Sequence, residues 1–168
     1  MLKKLMLAAF VVAPMCLMAQ QVKLGYVNPM EIFNVMPEKA TAETTLKTAS
    51  DKYETEYKNL QTAFQKKLDD YDKADKDATT PQAIKDRHQQ ELQEEYQKIQ
   101  NFQQTAAQDL QRQQEQLLAP IQQKLQDAIK AVGAEGGYTF IYDTSSLLYV
   151  GTGAEDLTAK VKAKLGIK

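Results

Sequence analysis

The spacing of hydrophobic positions changes along the chain and separates strand-like from helical stretches. Residues 22–27, VKLGYV, are apolar at alternate positions, which predicts a short half-buried strand. Asn28 and Pro29 follow as a capping residue and a proline at the first helical position, so a brief helix is expected next. Pro37 ends that helix, because proline cannot continue it from within.

Two long helical segments are predicted beyond Pro37. Residues 38–78 contain neither glycine nor proline, and residues 81–132 form a second segment of mostly good helix formers. Residues 77–81, DATTP, interrupt the pattern, because proline disfavours a helical conformation in the residue before it and a threonine there can cap the second helix. The second helix contains Pro120, where we expect a kink.

Apolar residues recur every eleven positions in both long segments. An eleven-residue repeat is about 3.67 residues per turn, which favours a nearly straight or slightly right-handed helix pair. Folding the chain at residues 77–81 places Leu60 near Ile99 and Tyr57 near Phe102. The sequence therefore predicts a long antiparallel coiled-coil hairpin.

The C-terminal region predicts further strands and a final helix. Glycines at 133, 136 and 137 supply the stop of the second long helix. Residues 138–142 and 147–150 are aromatic and aliphatic runs on either side of the turn-forming sequence DTSS, which predicts a β-hairpin. Thr152 and Glu155 have the spacing of a capping box for a last helix, whose expected apolar face is Leu157, Val161 and Leu165.

The expected fold class is α+β and mostly α. Three short strands and two small helices bury little apolar surface alone, so the two chain ends are expected to pack together and to oligomerise. We call residues 20–45 and 133–168 the body. Residues 46–132 form the helical hairpin, which we call the arm, with its tip near residues 77–81.

The first residues have the pattern of a secretory signal. Lys3 and Lys4 precede an apolar run, residues 5–12, and Ala19 is the small residue that signal peptidase requires at the cut. Residues 1–19 are therefore expected to be removed on export, and Cys16 with them. The remaining chain, residues 20–168, is expected to be a single exported unit.

Composition excludes most catalytic classes. The chain has one His, one Cys and a formal net charge of −1, which argues against a multi-residue His/Cys metal site, a disulfide framework and a basic field for nucleic acid. No nucleophile elbow or phosphate-binding loop is present, and His88 lies at a helix-packing position. We therefore expect no enzyme, no catalytic residue, no metal and no cofactor.

Five aromatic residues of the arm have helical spacing, and they either pack between the two helices or contact a partner. They are Tyr53, Tyr57, Phe64, Tyr96 and Phe102.

The order of these parts resembles that of the Skp/OmpH family of periplasmic chaperones. The resemblance covers essentially the whole chain after the signal, and its specific motifs lie at the two ends: YVN, IFNVMPE, LLAPIQQKLQDAIKAVGAEGGYTFIYD and LLYVG. The middle matches only as a generic coiled coil. The charge of the arm tip differs from that of the family. The better-known members have cationic arm tips, whereas residues 65–95 here mix lysines with acids.

The resemblance implies a homotrimer in the periplasm that acts as an ATP-independent holdase. Its arms would enclose a cavity for unfolded outer-membrane β-barrel proteins, with transient contact with the membrane or the outer-membrane assembly machinery. The arm aromatics would then be the candidate contacts for these clients. The body positions would mediate trimerisation through the sheet, and they are Leu24, Tyr26, Phe140, Tyr142, Leu147 and Tyr149.

A second hypothesis belongs to a different class. In this reading the arm is a structural adaptor or spacer that docks on one folded partner in the cell envelope. It predicts stoichiometric binding to a native protein and indifference to unfolded ones.

Overall fold

A computed structural model of the protein describes residues 22–167. The predicted signal, residues 1–19 with Cys16, lies outside the described residues. Within residues 22–167 the chain forms four helices, three short strands and one turn of 3₁₀ helix at Thr144–Ser146. In chain order the main elements are β1 (Leu24–Val27), α1 (Pro29–Val35), α2 (Pro37–Lys76), α3 (Gln82–Gly136), β2 (Phe140–Asp143), β3 (Ala154–Asp156) and α4 (Thr158–Lys164). The expected architecture, mostly helical with a small sheet, is confirmed.

The first strand and helix form as the sequence predicts. The side chain of Asn28 caps α1 by accepting a hydrogen bond from the N–H of Glu31 at 3.0 Å. Pro29 occupies the first helical position. A backbone N–H at that position would have no acceptor within the helix, so proline, which lacks this N–H, loses no hydrogen bond there. Met36 ends α1, and Pro37 begins α2 directly after it.

The break between the long helices falls at residues 77–81, but its capping differs from our expectation. Asp77 ends α2, and its Oδ1 accepts hydrogen bonds from the N–H and the hydroxyl of Thr79 at 2.8 and 2.7 Å. These bonds hold the pKa of Asp77 below its ordinary value. The N-cap of α3 is Pro81, whose side chain has no hydrogen-bond acceptor, so α3 has no side-chain cap. The predicted threonine cap is wrong.

The helix α3 runs beyond the first predicted stop. It passes through Gly133 and ends where Gly137 adopts a left-handed conformation with φ of 64°. Gly133 is buried, and a Cβ at that position would lie 3.0 Å from Cδ1 of Ile141. This glycine therefore allows β2 to approach the helix, and its expected role as a stop is wrong. Pro120 lies inside α3.

The sheet is entirely parallel, in the order β2-β1-β3. The predicted β-hairpin is therefore wrong: residues 147–150 form no strand, and the third strand is residues 154–156. Because β2 and β3 pair with opposite edges of β1, residues 144–153 must pass from one edge to the other, which no tight turn achieves for parallel strands. Leu148 and Tyr149 lie in this connection with 107% and 84% of their surface exposed.

The last helix also begins later than the capping box predicts. Glu155 lies in β3, and Oδ1 of Asp156 instead accepts a hydrogen bond from the N–H of Thr158 at 2.9 Å. The capping-box prediction is wrong because the residues assigned to the first turn are needed as a strand. The predicted apolar face is confirmed, since Leu157 and Val161 are fully buried and Leu165 packs against them.

The core lies where the two chain ends meet at the base of α3. The N–H of Leu157 donates to the carbonyl oxygen of Tyr26 at 2.8 Å, which joins β1 to the start of α4. Residues from α1, α2, α3 and α4 enclose this point. The buried cluster consists of Val27, Ile32, Met36, Ala42, Ile121, Leu125, Ala128, Val132, Leu157 and Val161.

Candidate functional site

The arm projects from this core as two antiparallel helices. Several side-chain contacts join α2 to α3, and three polar ones show the antiparallel order, because residue numbers rise on α2 as they fall on α3. These three are Glu38 with Lys124, Tyr53 with Asp109 and Lys67 with Glu95. Burial along this stretch is thin: α2 buries only Ala42 and Leu60 among its residues. A helix pair with so few buried residues leaves most of its side chains available to a partner.

A buried carboxylate fixes the distal half of the arm. Glu95 retains 9% of its surface exposed, and its Oε2 lies 2.9 Å from Nζ of Lys67 on the facing helix. Nζ of Lys98 lies 3.4 Å from Oε1. The hydrogen bond from Lys67 holds the pKa of Glu95 below its ordinary value, and the same bond raises the pKa of Lys67.

Sequence reasoning missed Glu95, although a signal was present. It occupies the apolar stripe of α3, between Leu92 and Ile99 at helical spacing. A charged residue at such a position needs a partner on the facing helix, because burial of an unpaired charge is costly.

One aromatic pair closes the proximal half of the arm. The rings of Tyr53 and Phe102 meet edge to face, with centroids 6.0 Å apart. The Tyr53 hydroxyl donates to Oδ2 of Asp109 at 2.6 Å, and Gln113 also donates to this carboxylate. Sequence spacing placed Tyr57 near Phe102, and the ring pair of the structure uses Tyr53, one helical turn away. These two rings pack between the helices.

A second aromatic pair lies open. The rings of Phe64 and Tyr96 are 6.4 Å apart and tilted by 51°, and Tyr96 keeps 55% of its surface exposed. Beside them is an open groove of about 730 Å³ that Tyr57 and Ile99 also line. We call the groove lined by Tyr57, Phe64, Tyr96 and Ile99 the arm groove. Three of the five predicted aromatics thus lie together at one surface.

The body presents a second aromatic surface. Leu24 is in register with Phe140, and Tyr26 with Tyr142, so these four side chains share one face of the sheet. Phe140 and Tyr142 are 54% and 44% exposed, with ring centroids 6.1 Å apart. We call these four residues the sheet patch.

The opposite face of the sheet carries Val27 and Ile141 and packs on the core. The two other predicted body residues, Leu147 and Tyr149, lie outside the sheet, in the connection that follows the 3₁₀ turn.

The described residues offer binding surfaces and little reactive chemistry. Within residues 22–167, no group of three or more His, Cys, Asp or Glu side chains is arranged to hold a metal ion. In the same range, no helix has both the length and the apolar character to cross a membrane. His88 is half-buried on α3, and its Nε2 lies 3.3 Å from the guanidinium of Arg87.

Comparison with known proteins gives consistent results. The sequence profile of outer membrane protein (OmpH-like) matches residues 23–165. The chain is 27% identical to the chaperone protein Skp of Yersinia enterocolitica over 84% of its length and 85% of that protein. It is 26% identical to the chaperone protein Skp of Pectobacterium atrosepticum, over 83% and 82% of the two chains. A solved structure from Caulobacter crescentus, described as an outer membrane chaperone (OmpH-like), superposes with a TM-score of 0.74 at 17% identity and covers 84% of this chain and 82% of its own.

Proposed function

Because this chain belongs to the family of OmpH-like outer membrane proteins, whose curated relatives are named chaperones, we propose that it is a periplasmic holdase. It binds unfolded outer-membrane β-barrel proteins after export and keeps them from aggregating on the way to the outer membrane. It acts without ATP, because a binder that prefers the unfolded state shifts the folding equilibrium by mass action alone.

The sheet patch is the observation that carries the proposal. The sheet packs on the core through one face, and its other face carries one leucine and three aromatic residues, of which Phe140 and Tyr142 are exposed. Such an area is normally covered by a partner. A second and a third copy of the chain supply that cover in a homotrimer. The three bodies then form one base, and the three arms extend from it around a shared space.

The arm is suited to hold a chain without fixing its conformation. Its surface is rich in glutamine and alternating charges, with few buried contacts between the helices. Such a surface forms many weak contacts, which suit a binder of diverse unfolded segments. Each contact is easily broken, so the client can leave without a driven step.

Aggregation of a diluted barrel protein tests the chaperone activity. An outer-membrane barrel unfolded in urea is diluted into buffer with and without residues 20–168, and light scattering is recorded. We expect scattering to fall to the baseline near one trimer per barrel. Unchanged scattering, together with binding to one folded envelope protein, would instead support the adaptor hypothesis.

Variants of the sheet patch test the trimer. Phe140→Ser with Tyr142→Ser removes both exposed rings, and we expect the mass in solution to fall to that of one subunit. Val35→Ser is the control, because Val35 is also exposed, at 48%, but lies on α1 outside the sheet. A trimer that survives the double change would exclude the sheet patch as the subunit contact.

A further inference from the structure

The arm groove differs from the rest of the arm in its chemistry. On α2, positions 57, 61, 64 and 65 form one stripe, and on α3 positions 96, 99 and 100 lie opposite them. The aromatic and aliphatic members provide the apolar floor. Gln61, Gln65 and Gln100 line the edges. A glutamine amide can both donate and accept a hydrogen bond, and Nε2 of Gln65 already donates to Oδ1 of Asp69 at 3.0 Å.

The arm groove is close to electrically neutral. Among the described residues that line it, Lys58 is the one with a charge, and its Nζ lies 2.7 Å from Oε1 of Glu54. Next to the groove, Glu95 pairs with Lys67 across the helices and with Lys98 on its own helix, and none of these three residues lines the groove. A neutral groove complements a neutral ligand, because a charged segment would lose hydration there without gaining a partner.

From these observations we propose that the arm groove is a discrete docking site for an uncharged, extended polypeptide segment that carries an aromatic side chain. This inference deepens the proposed function and rests on it. The aromatic side chain of the client packs on the exposed ring of Tyr96, beside Phe64, and the glutamine amides bind the unpaired backbone groups of the extended segment. Segments of this composition are those that face lipid in a finished β-barrel.

The position of the groove supports a binding role over a purely structural one. The other ring pair, Tyr53 with Phe102, is held shut by the hydrogen bond to Asp109. By contrast, Tyr96 leaves more than half of its surface in water while the ion pair next to it fixes the spacing of the helices. The groove is therefore held open in advance, which lowers the ordering cost of binding.

The absence of tryptophan from the sequence makes the site directly measurable. The probe is a ten-residue peptide of alternating Thr and Val with one central Trp, blocked at both ends, and its Trp emission is titrated with residues 20–168. A second peptide replaces two Thr residues by Asp, and a third replaces them by Lys. We expect a blue shift and saturable binding of the neutral peptide, and binding at least about fivefold weaker for both charged peptides.

Three variants locate the binding. Tyr96→Ala is expected to weaken binding of the neutral peptide about fivefold or more, whereas Tyr96→Phe keeps the ring and the affinity. Tyr71→Ala is the matched control, because Tyr71 is a half-buried tyrosine of α2 that does not line the groove. Helix content and oligomer mass are measured for each variant, so that a damaged arm is recognised.

Each result has one meaning. Equal affinity of Tyr96→Ala and the parent for the neutral peptide would overturn the docking site, and if both still suppress barrel aggregation, the holdase proposal stands without it. Equal affinity for neutral and charged peptides would overturn the stated ligand class. A lower oligomer mass for Tyr96→Ala would show that the groove is a contact between subunits. A parent protein that neither binds the peptide nor suppresses aggregation would overturn the proposed function itself.

Discussion

Gly25 lies close against Leu157 in the core between the two chain ends, and this approach predicts a compensating pair of substitutions. A Cβ added at Gly25 would lie 2.5 Å from Cδ1 and 3.1 Å from Cγ of Leu157. Overpacking of this kind costs about 1–3 kcal/mol, so Gly25→Ala is expected to destabilise the body by that amount. Leu157 is fully buried, and Leu157→Ala is expected to cost about 3 kcal/mol through lost burial and the remaining cavity.

The double variant should cost clearly less than the sum of the two single variants. Leu157→Ala removes the atoms that the methyl group added by Gly25→Ala would meet, so this methyl group occupies part of the new cavity. A coupling of about 1–2 kcal/mol is expected, within the range for residues in direct contact. Some cost should persist, because the ring of Tyr138 also lies 3.2 Å from the added Cβ.

Urea unfolding followed by circular dichroism measures all four members of the cycle. The subunit concentration is kept constant, since the stability of an oligomer depends on it. Leu157→Ala combined with Tyr53→Phe is the control, because these residues lie in the core and in the arm and should add within about 0.5 kcal/mol. Strict additivity of Gly25→Ala and Leu157→Ala would refute the contact and with it the docking of α4 against β1.

Three further predictions concern the arm. Tyr53→Phe removes the hydroxyl that donates to Asp109 and is expected to cost about 1 kcal/mol in urea unfolding; no change in midpoint would show that this bond contributes nothing. The pKa of Glu95 is lowered by Lys67 from an ordinary value of 4.5, so the pair stabilises the arm above that pH and loses its effect as the pH falls through the lowered value. The thermal midpoint should therefore be flat between about pH 7 and 5 and should fall as the pH drops below 4.5. Glu95→Gln should reduce this fall, whereas an equal fall in both proteins would contradict the assignment. Pro120→Ala should straighten α3 at the base of the arm and alter client capture, measured as the radius of gyration in solution scattering and as the scattering of diluted barrel; unaltered values would show that the proline is incidental.

The helices could be predicted because caps, prolines and helical spacing act over a few neighbouring residues, which the sequence shows directly. The cap at Asn28, the proline at position 37 and the break at residues 77–81 each depend on chemistry within one or two turns. The apolar face of α4 followed from its helical spacing in the same way.

The sheet could not be predicted as well, because its pairing is decided by contacts far apart in the chain. Residues 147–150 have a stronger strand composition than residues 154–156, yet only the latter lie beside β1. The parallel register of β3 is fixed by β1 and by the burial of Leu157, neither of which appears in a local pattern. The prediction that Gly133 ends α3 was wrong for a similar reason. This glycine is needed because Ile141 of β2, a strand placed by its pairing with β1, packs closely against it.

The sequence predicted which residues belong to the candidate surfaces, but it did not predict which of them pair with each other or remain exposed. Sequence spacing selected the five arm aromatics, but it could not separate the closed pair of Tyr53 and Phe102 from the open pair of Phe64 and Tyr96. That difference depends on the hydroxyl of Tyr53 meeting Asp109 across the arm.

The resemblance implied six body positions. The structure brings four of them together as the sheet patch, because alternate residues of a strand share a face, and it places the other two, Leu147 and Tyr149, outside the sheet.

The mass of the complex with an unfolded client decides between the holdase proposal and the adaptor hypothesis. Residues 20–168 are mixed with a urea-unfolded outer-membrane barrel, diluted into buffer, separated by size exclusion and analysed by light scattering. We predict one soluble species that contains three subunits and one unfolded barrel. A free oligomer beside precipitated barrel would contradict the holdase proposal and would direct the search to a folded partner of the arm.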